Sequence, residues 1–158
     1  MTEFKAKILI VEDDESLYQM YKLKFEKEWY DVLVATNGLQ ASSKVSEFKP
    51  DMILLDIMMP DMDGFETLTV MKQQSSLKTK IIMLSNLDKK EDIDKAMLLG
   101  ADDYIIKANT TPRQVVEKVS SMLDIISMKP DSIDSKTSIK VKCPHCDEYI
   151  NISIDLVK

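Results

Sequence analysis

Five short apolar runs alternate with amphipathic stretches along the first four-fifths of the chain: Lys7–Val11, Val32–Ala35, Met52–Asp56, Ile81–Ser85 and Tyr104–Lys107. Each is rich in Ile, Leu and Val without strict alternation, as strands buried on both faces are. Between them apolar residues recur at helical spacing. Leu17, Met20, Tyr21 and Phe25 form one such set, and Ile93, Ala96 and Met97 another. The longest stripe is Val115, Val116, Val119, Met122, Leu123 and Ile126. The second helix is the weakest of the set, with Leu39, Val45 and Phe48 on its candidate buried face. Strand and helix in turn predict an α/β fold, a parallel sheet with helices on both faces.

Capping signals sit at several of the predicted boundaries. Asp88 followed by Glu91 predicts the start of the fourth helix, and Gly100 its end. Thr111, Pro112 and Gln114 supply an N-cap, a first-turn proline and a capping-box partner for the fifth. After Ser127 the pattern breaks into a polar stretch carrying Pro130, read as a linker over residues 128–138. The period then changes to two. Ile139 and Val141, then Ile150, Ile152, Ile154 and Leu156, alternate with polar residues around Cys143-Pro144-His145-Cys146. The predicted organisation is a globular domain over 1–127, the linker, and a C-terminal β-hairpin over 139–158. A lone two-stranded hairpin is marginal in water, so its apolar face needs a partner.

Composition narrows the function classes. At 44% apolar and 30% charged residues, the 158-residue chain has the makeup of a folded soluble domain. No apolar run approaches the roughly 18 residues of a membrane helix. The first residues lack the layout of a signal peptide, and the expected location is the cytoplasm. The acidic excess is confined to residues 1–127, with 22 acidic against 16 basic side chains; the remainder carries five of each. With Arg113 the only arginine and no basic stripe, direct nucleic-acid binding is not expected. Three scattered glycines form no phosphate-cradling loop.

The strand ends carry the chemistry. In an open parallel sheet, ligands bind beyond the carboxyl ends of the strands. Here the first strand runs into Glu12-Asp13-Asp14, the third ends at Asp56, the fourth at Ser85 and the fifth at Lys107. Three carboxylates converging within about 4 Å repel by a few kcal/mol per pair at an effective dielectric of about 20, so the cluster needs a cation or a proton. A small all-oxygen donor set suits Mg2+. Lys107 and the Ser85 hydroxyl would then face the rest of a bound phosphoryl group.

Four motifs, Ile8–Asp14, Leu54–Gly64, Met83–Ser85 and Gly100–Lys107, strongly resemble the receiver domain of two-component response regulators. Separations agree, with 43 residues from Asp13 to Asp56 and 22 from Ser85 to Lys107. The resemblance runs from Lys5 to about Ser127. It implies a flavodoxin-like, CheY-like fold with strand order 2-1-3-4-5 and Asp56 as phosphoacceptor from a histidine kinase. It also implies Mg2+ held by Glu12, Asp13, Asp56 and the Met58 backbone carbonyl, and a Ser85–Tyr104 switch pair. That pair would reshape the surface formed by the fourth helix, fifth strand and fifth helix. An unidentified downstream protein is the expected target, homodimerisation through the same face is implied, and no catalytic turnover is expected beyond slow self-dephosphorylation.

Three positions depart from the family pattern. Ala108 follows Lys107 where relatives carry proline, often with a cis peptide. A cis bond before alanine costs about 2.5–4 kcal/mol, so a trans bond or local strain is expected. Trp29 stands where many relatives have a turn glycine. Met58 and Leu87, two residues beyond Asp56 and Ser85, are apolar, and at these family positions that predicts a long-lived phosphorylated state.

Rival chemistries are weaker. Asp61-Met62-Asp63-Gly64 resembles the nucleophile loop of haloacid-dehalogenase phosphatases, but Met59 and Pro60 separate it from the strand, which delivers Asp56 instead. Cys143 and Cys146 have the spacing of one zinc-ribbon knuckle, and a second knuckle is missing. Zn2+ shared between two chains would complete such a site, and an unmetallated hairpin or degenerate half-ribbon is the other reading of it. The alternative function is therefore a tail-driven adaptor in which the receiver is a scaffold. A redox Cys-x-x-Cys lacks its strand-then-helix setting.

Overall fold

A computed structural model of the chain describes residues 4–74, 78–127, 138–142 and 149–153. Its elements follow the expected alternation: β1 Lys7–Val11, α1 Glu15–Lys27, β2 Asp31–Ala35, α2 Gly38–Phe48, β3 Met52–Leu55, α3 Gly64–Gln74, β4 Lys80–Ser85, α4 Lys90–Leu98, β5 Asp103–Ile106 and α5 Pro112–Ser127. A single 3-10 turn, Lys107–Asn109, follows β5. The five strands form one parallel sheet in the order β2-β1-β3-β4-β5.

Strand alternation divides the core in two. Ile8, Ile10, Met52, Leu54, Ile82, Leu84 and Ile105 pack under α1 and α5 with Tyr21, Phe25, Val115 and Val119. Leu9, Val11, Ile53, Leu55, Ile81 and Met83 pack under α2, α3 and α4 with Ala41, Val45, Leu68, Met71 and Ala96. Both faces of every central strand are thus covered, the reason their sequences run apolar without alternation.

α5 starts at its sequence-encoded cap, and α4 does not. Thr111 and Gln114 exchange the two bonds of a capping box, Thr111 N to Gln114 Oε1 at 2.8 Å and Gln114 N to Thr111 Oγ1 at 3.3 Å. Asp88 does not cap α4. The N-cap residue is Lys89, without a side-chain bond, and Glu91 and Asp92 in the first turn meet the positive end of the helix. Two exposed side chains correct the predicted buried faces. Leu39 is 72% exposed because α2 packs through Ala41 and Val45, and Met97 is exposed because α4 packs through Ala96.

α1 and α4 end in the same way. At Gly100, with φ +99°, Gly100 N donates to Met97 O and Ala101 N to Ala96 O, the paired bonds of a Schellman motif. At Trp29, with φ +65°, Trp29 N donates to Glu26 O and Tyr30 N to Phe25 O, the same pair. A tryptophan therefore occupies a left-handed position that glycine fills most easily.

The chain separates into two compact units, residues 1–125 and 126–158. In the second, β6 Ser138–Lys142 and β7 Tyr149–Ser153 pair antiparallel, with Ile139 opposite Ile152 and Val141 opposite Ile150. β6 begins at Ser138, the last residue of the predicted linker. The rest of that linker, Cys143, His145 and Cys146 lie outside the described residues.

Candidate functional site

Register alone brings the acidic residues together. Val11 pairs with Leu55, so Glu12 and Asp56, the next residue on each strand, emerge side by side at the carboxyl edge of the sheet. Asp56 N donates to Val11 O at 2.9 Å and Glu12 N to Ala35 O at 3.0 Å, carrying the ladder one step past the strands. Glu12 follows Ile8 and Ile10 in alternation, and Asp56 follows Met52 and Leu54, so both belong to the α1–α5 side. Glu12, Asp13 and Asp56 each place a carboxylate oxygen within 4.8 Å of the others. Glu12 and Asp56 are buried and Asp13 is exposed, which leaves the cluster open on one side.

Lys107, the first residue after β5, supplies the counter-charge. Its Nζ bonds to Glu12 Oε2 and lies 3.3 Å from Asp56 Oδ2, with all three side chains nearly buried. Burial raises the Glu12 pKa above its ordinary value; the Lys107 bond pulls it back and the Asp56 charge adds to the rise. Asp56 Oδ1 also accepts from Ile57 N at 2.8 Å, which fixes the carboxylate's orientation. All donors of the cluster are hard oxygens, a set that fits Mg2+ and not a thiophilic metal.

Three local devices hold this corner of the sheet. Asp14 is the N-cap of α1, its carboxylate accepting from Leu17 N at 3.1 Å, so it serves the helix and leaves the cluster to its neighbours. Asp63 accepts from Glu66 N at 2.9 Å at the start of α3, and Asp61 is an exposed turn residue with φ +69°. The phosphatase-like Asp-x-Asp pair is thus a helix start and a turn. Gly64 packs directly on the Asp56–Ile57 backbone: a Cβ there would lie 2.2 Å from Asp56 O and 2.6 Å from Ile57 Cα.

Ser85 and Tyr104 sit on the other side of the sheet plane, where Tyr104 packs against the α2–α4 core. Leu87 ties them together. Its N–H donates to Ser85 Oγ at 3.3 Å, and its carbonyl accepts from the Tyr104 hydroxyl at 2.9 Å. Burial raises the Tyr104 pKa, a Ser85 hydrogen bond opposes that, and Asp92, Asp56 and Asp88 add to it. The Lys107–Ala108 peptide is trans, with Ala108 inside the 3-10 turn.

Tyr21 is the residue of this region that its place in an apolar stripe conceals. It is buried in the α1–α5 core on the side to which Glu12 and Asp56 belong. Its pKa is raised by burial first and then by the charges of Glu12 and Asp56. The available signal was a hydroxyl-bearing side chain where an aliphatic one would fill the stripe.

Residues 8–120 match the response regulator receiver domain family. The chain belongs to this family. The alkaline phosphatase synthesis transcriptional regulatory protein PhoP of Bacillus subtilis is 39% identical over 117 residues, covering 74% of this chain and 48% of that protein. The DNA-binding response regulator MtrA of Mycobacterium tuberculosis is 32% identical over 144 residues, covering 91% and 62%. The chain therefore spans between about half and under two thirds of the length of these curated relatives. Among solved structures, a CheY-like receiver domain protein from Methanospirillum hungatei superimposes with a TM-score of 0.72 at 32% identity, covering 79% of this chain and 98% of that one. The BeF3-activated receiver domain of Klebsiella pneumoniae RstA gives 0.68 at 32% identity, covering 74% and 97%. The flavodoxin-like fold and its strand order are those of a CheY-type receiver. Among the described residues no helix is long and apolar enough to cross a membrane.

Proposed function

We propose that the chain is a phosphorylation-dependent switch that takes a phosphoryl group on Asp56 from a histidine kinase. The observation that carries this reading is the cluster itself: a carboxylate only 5% exposed, two further carboxylates within 4.8 Å, and one ammonium reaching two of the three. An Asp56 carboxylate oxygen bonds to phosphorus as the phosphorus–nitrogen bond to the kinase histidine breaks and the imidazole leaves. The nucleophile needs no base at neutral pH, so positioning and charge neutralisation do the rest. Glu12, Asp13, Asp56 and the Met58 carbonyl would hold Mg2+, which supplies positive charge to the phosphoryl oxygens when bound. Lys107 would give up Glu12 and contact a phosphoryl oxygen, a role its pairing with both carboxylates supports.

Leu87 supports the switch reading. Drawing Ser85 onto the phosphoryl group loosens the Leu87 N–H from its hydroxyl and shifts the carbonyl to which Tyr104 is tied. The consequence is a change at α4, β5 and α5, read by a partner protein in the cytoplasm or by a second copy of the chain. The relatives named as DNA-binding are matched over only part of their length, and the receiver family matches residues 8–120 here. The acidic balance of residues 1–127 favours a protein as the contact of this unit.

Calorimetric titration with beryllofluoride in Mg2+, a mimic of the phosphoryl group on aspartate, tests this. Saturable one-to-one binding that Asp56→Asn abolishes is expected. The tail-driven adaptor, with Zn2+ shared between chains at Cys143 and Cys146, is the alternative. It predicts that partner binding and oligomeric state respond to chelation and ignore Asp56→Asn.

A further inference from the structure

A cleft of about 600 Å3 opens between the end of α1, the residues preceding β1 and one side of α5. Four cations line it, Lys5, Lys24, Lys27 and Arg113, against two carboxylates, Glu28 and Glu117. Lys5 lies 3.8 Å from Glu28 and Arg113 lies 2.9 Å from Glu117, so both carboxylates are already engaged. Lys24 and Lys27 make no ion pair among the described residues. Two positive charges without a carboxylate partner among the described residues thus stand in one concavity, in a stretch, residues 1–127, whose 22 acidic residues outnumber its 16 basic ones. Tyr30 and Val116 give the cleft an apolar floor.

Trp29 falls between two of the lining residues, Glu28 and Tyr30, and adds an independent observation. It is 56% exposed and holds a left-handed backbone conformation that its side chain disfavours. Folding gains little from an indole left mostly in water, and glycine would close the same Schellman motif without strain. Strain retained under an exposed aromatic points to use of the side chain in recognition.

We propose that the cleft and Trp29 form a docking surface for an acidic segment of a partner protein that also carries an apolar side chain. Carboxylates of the segment meet Lys24 and Lys27, and the apolar side chain rests on Trp29 and the Tyr30–Val116 floor. Charge complementarity selects this occupant. A nucleic-acid backbone carries a charge at every nucleotide and needs a run of cations, whereas two free ammoniums match a short segment with a pair of carboxylates. Lys5 and Tyr30 stand at the amino ends of β1 and β2, whereas Asp56 lies beyond the carboxyl end of β3. The α1 wall of the cleft and the residues before β1 therefore lie apart from the switched face, and only the α5 wall belongs to it.

Trp29 is the chain's single tryptophan, so its emission reports on this surface alone. The full chain is titrated with a synthetic peptide alternating paired glutamates with leucine, and with the same peptide carrying glutamine for glutamate. A saturable blue shift is expected with the first only, weakening as salt shortens the reach of the charges. The double variant Lys24→Glu, Lys27→Glu is expected to bind about tenfold more weakly or worse. Trp29→Gly, followed by calorimetry, is expected to lose binding while its unfolding midpoint holds or rises. No emission change with the acidic peptide, unaltered affinity in either variant, or tighter binding of a single-stranded oligonucleotide than of the peptide overturns the proposal.

Discussion

The Lys107 ammonium is shared between Glu12 and Asp56, 95 residues and 51 residues away in the chain, and it is the only cation within ion-pair distance of either among the described residues. Removing it leaves two neighbouring buried carboxylates without a counter-charge. Lys107→Ala is expected to destabilise the receiver unit by about 3 kcal/mol in the absence of divalent cation. Urea unfolding with and without Mg2+ checks this, and the deficit should shrink when Mg2+ replaces the missing charge. An equal deficit in both conditions would place the role of Lys107 in packing.

Mg2+ itself should stabilise the wild-type protein by mass action. At ten times its dissociation constant the gain is about 1.4 kcal/mol. Asp13→Asn is expected to remove most of that gain, because Asp13 is the open, solvent-facing member of the cluster. Thermal midpoints measured against Mg2+ concentration provide the comparison.

Glu12 gives a pH dependence of definite sign. Its folded pKa is raised above 4.5, chiefly by burial, so the folded protein holds the proton more tightly than the unfolded chain does. The associated stability is present below about pH 4.5 and is lost as pH rises through the folded pKa. Glu12→Gln should flatten that part of the profile. Unfolding midpoints taken from pH 4 upward without Mg2+ would show it, and an unchanged slope in the variant would assign the dependence to other groups.

Two ends of the same geometry should respond oppositely to substitution. Trp29→Gly relieves a left-handed side chain and is expected to stabilise the receiver unit by about 1 kcal/mol. Gly64→Ala drives a Cβ into the Asp56 carbonyl and the Ile57 backbone, and neither is a flexible side-chain end. It is expected to cost about 2 kcal/mol or more and to slow phosphorylation by displacing Asp56. Denaturant midpoints and phosphorylation rates from a small phosphodonor separate the two effects.

Met58 is 62% exposed, and its apolar side chain stands two residues beyond Asp56. With Leu87 it should hinder the in-line approach of water to phosphoaspartate. The phosphorylated protein is expected to persist for minutes or longer, and Met58→Asn to shorten that lifetime several-fold. Loss of the phosphoryl group within seconds from the wild type would contradict this.

The site was legible because a parallel sheet turns sequence order into position. A residue that ends a strand or stands one step past it must lie at the carboxyl edge. Ser85 at the end of β4, and Glu12, Asp56 and Lys107 just past β1, β3 and β5, could therefore be placed there from apolar runs alone. The capping box of α5 was legible for a similar reason, since three residues within one turn settle it. What depends on tertiary packing was not. Leu39 and Met97 fit an apolar stripe, but the depth of each helix in its layer leaves them outside. Asp88 has the chemistry of a cap, but α4 starts two residues beyond it. The Leu87 tie between Ser85 and Tyr104 runs through backbone atoms that no side-chain pattern records. Trp29 was visible only as a departure from a glycine, and its left-handed conformation follows from the turn that Phe25 and Tyr30 close across it.

The most direct test is the intact mass of the protein after incubation with a small phosphodonor and Mg2+, for wild type and Asp56→Asn side by side. Addition of one phosphoryl group to the wild type and none to the variant is predicted. No gain in the wild type, or the same gain in both, would contradict Asp56 as the acceptor.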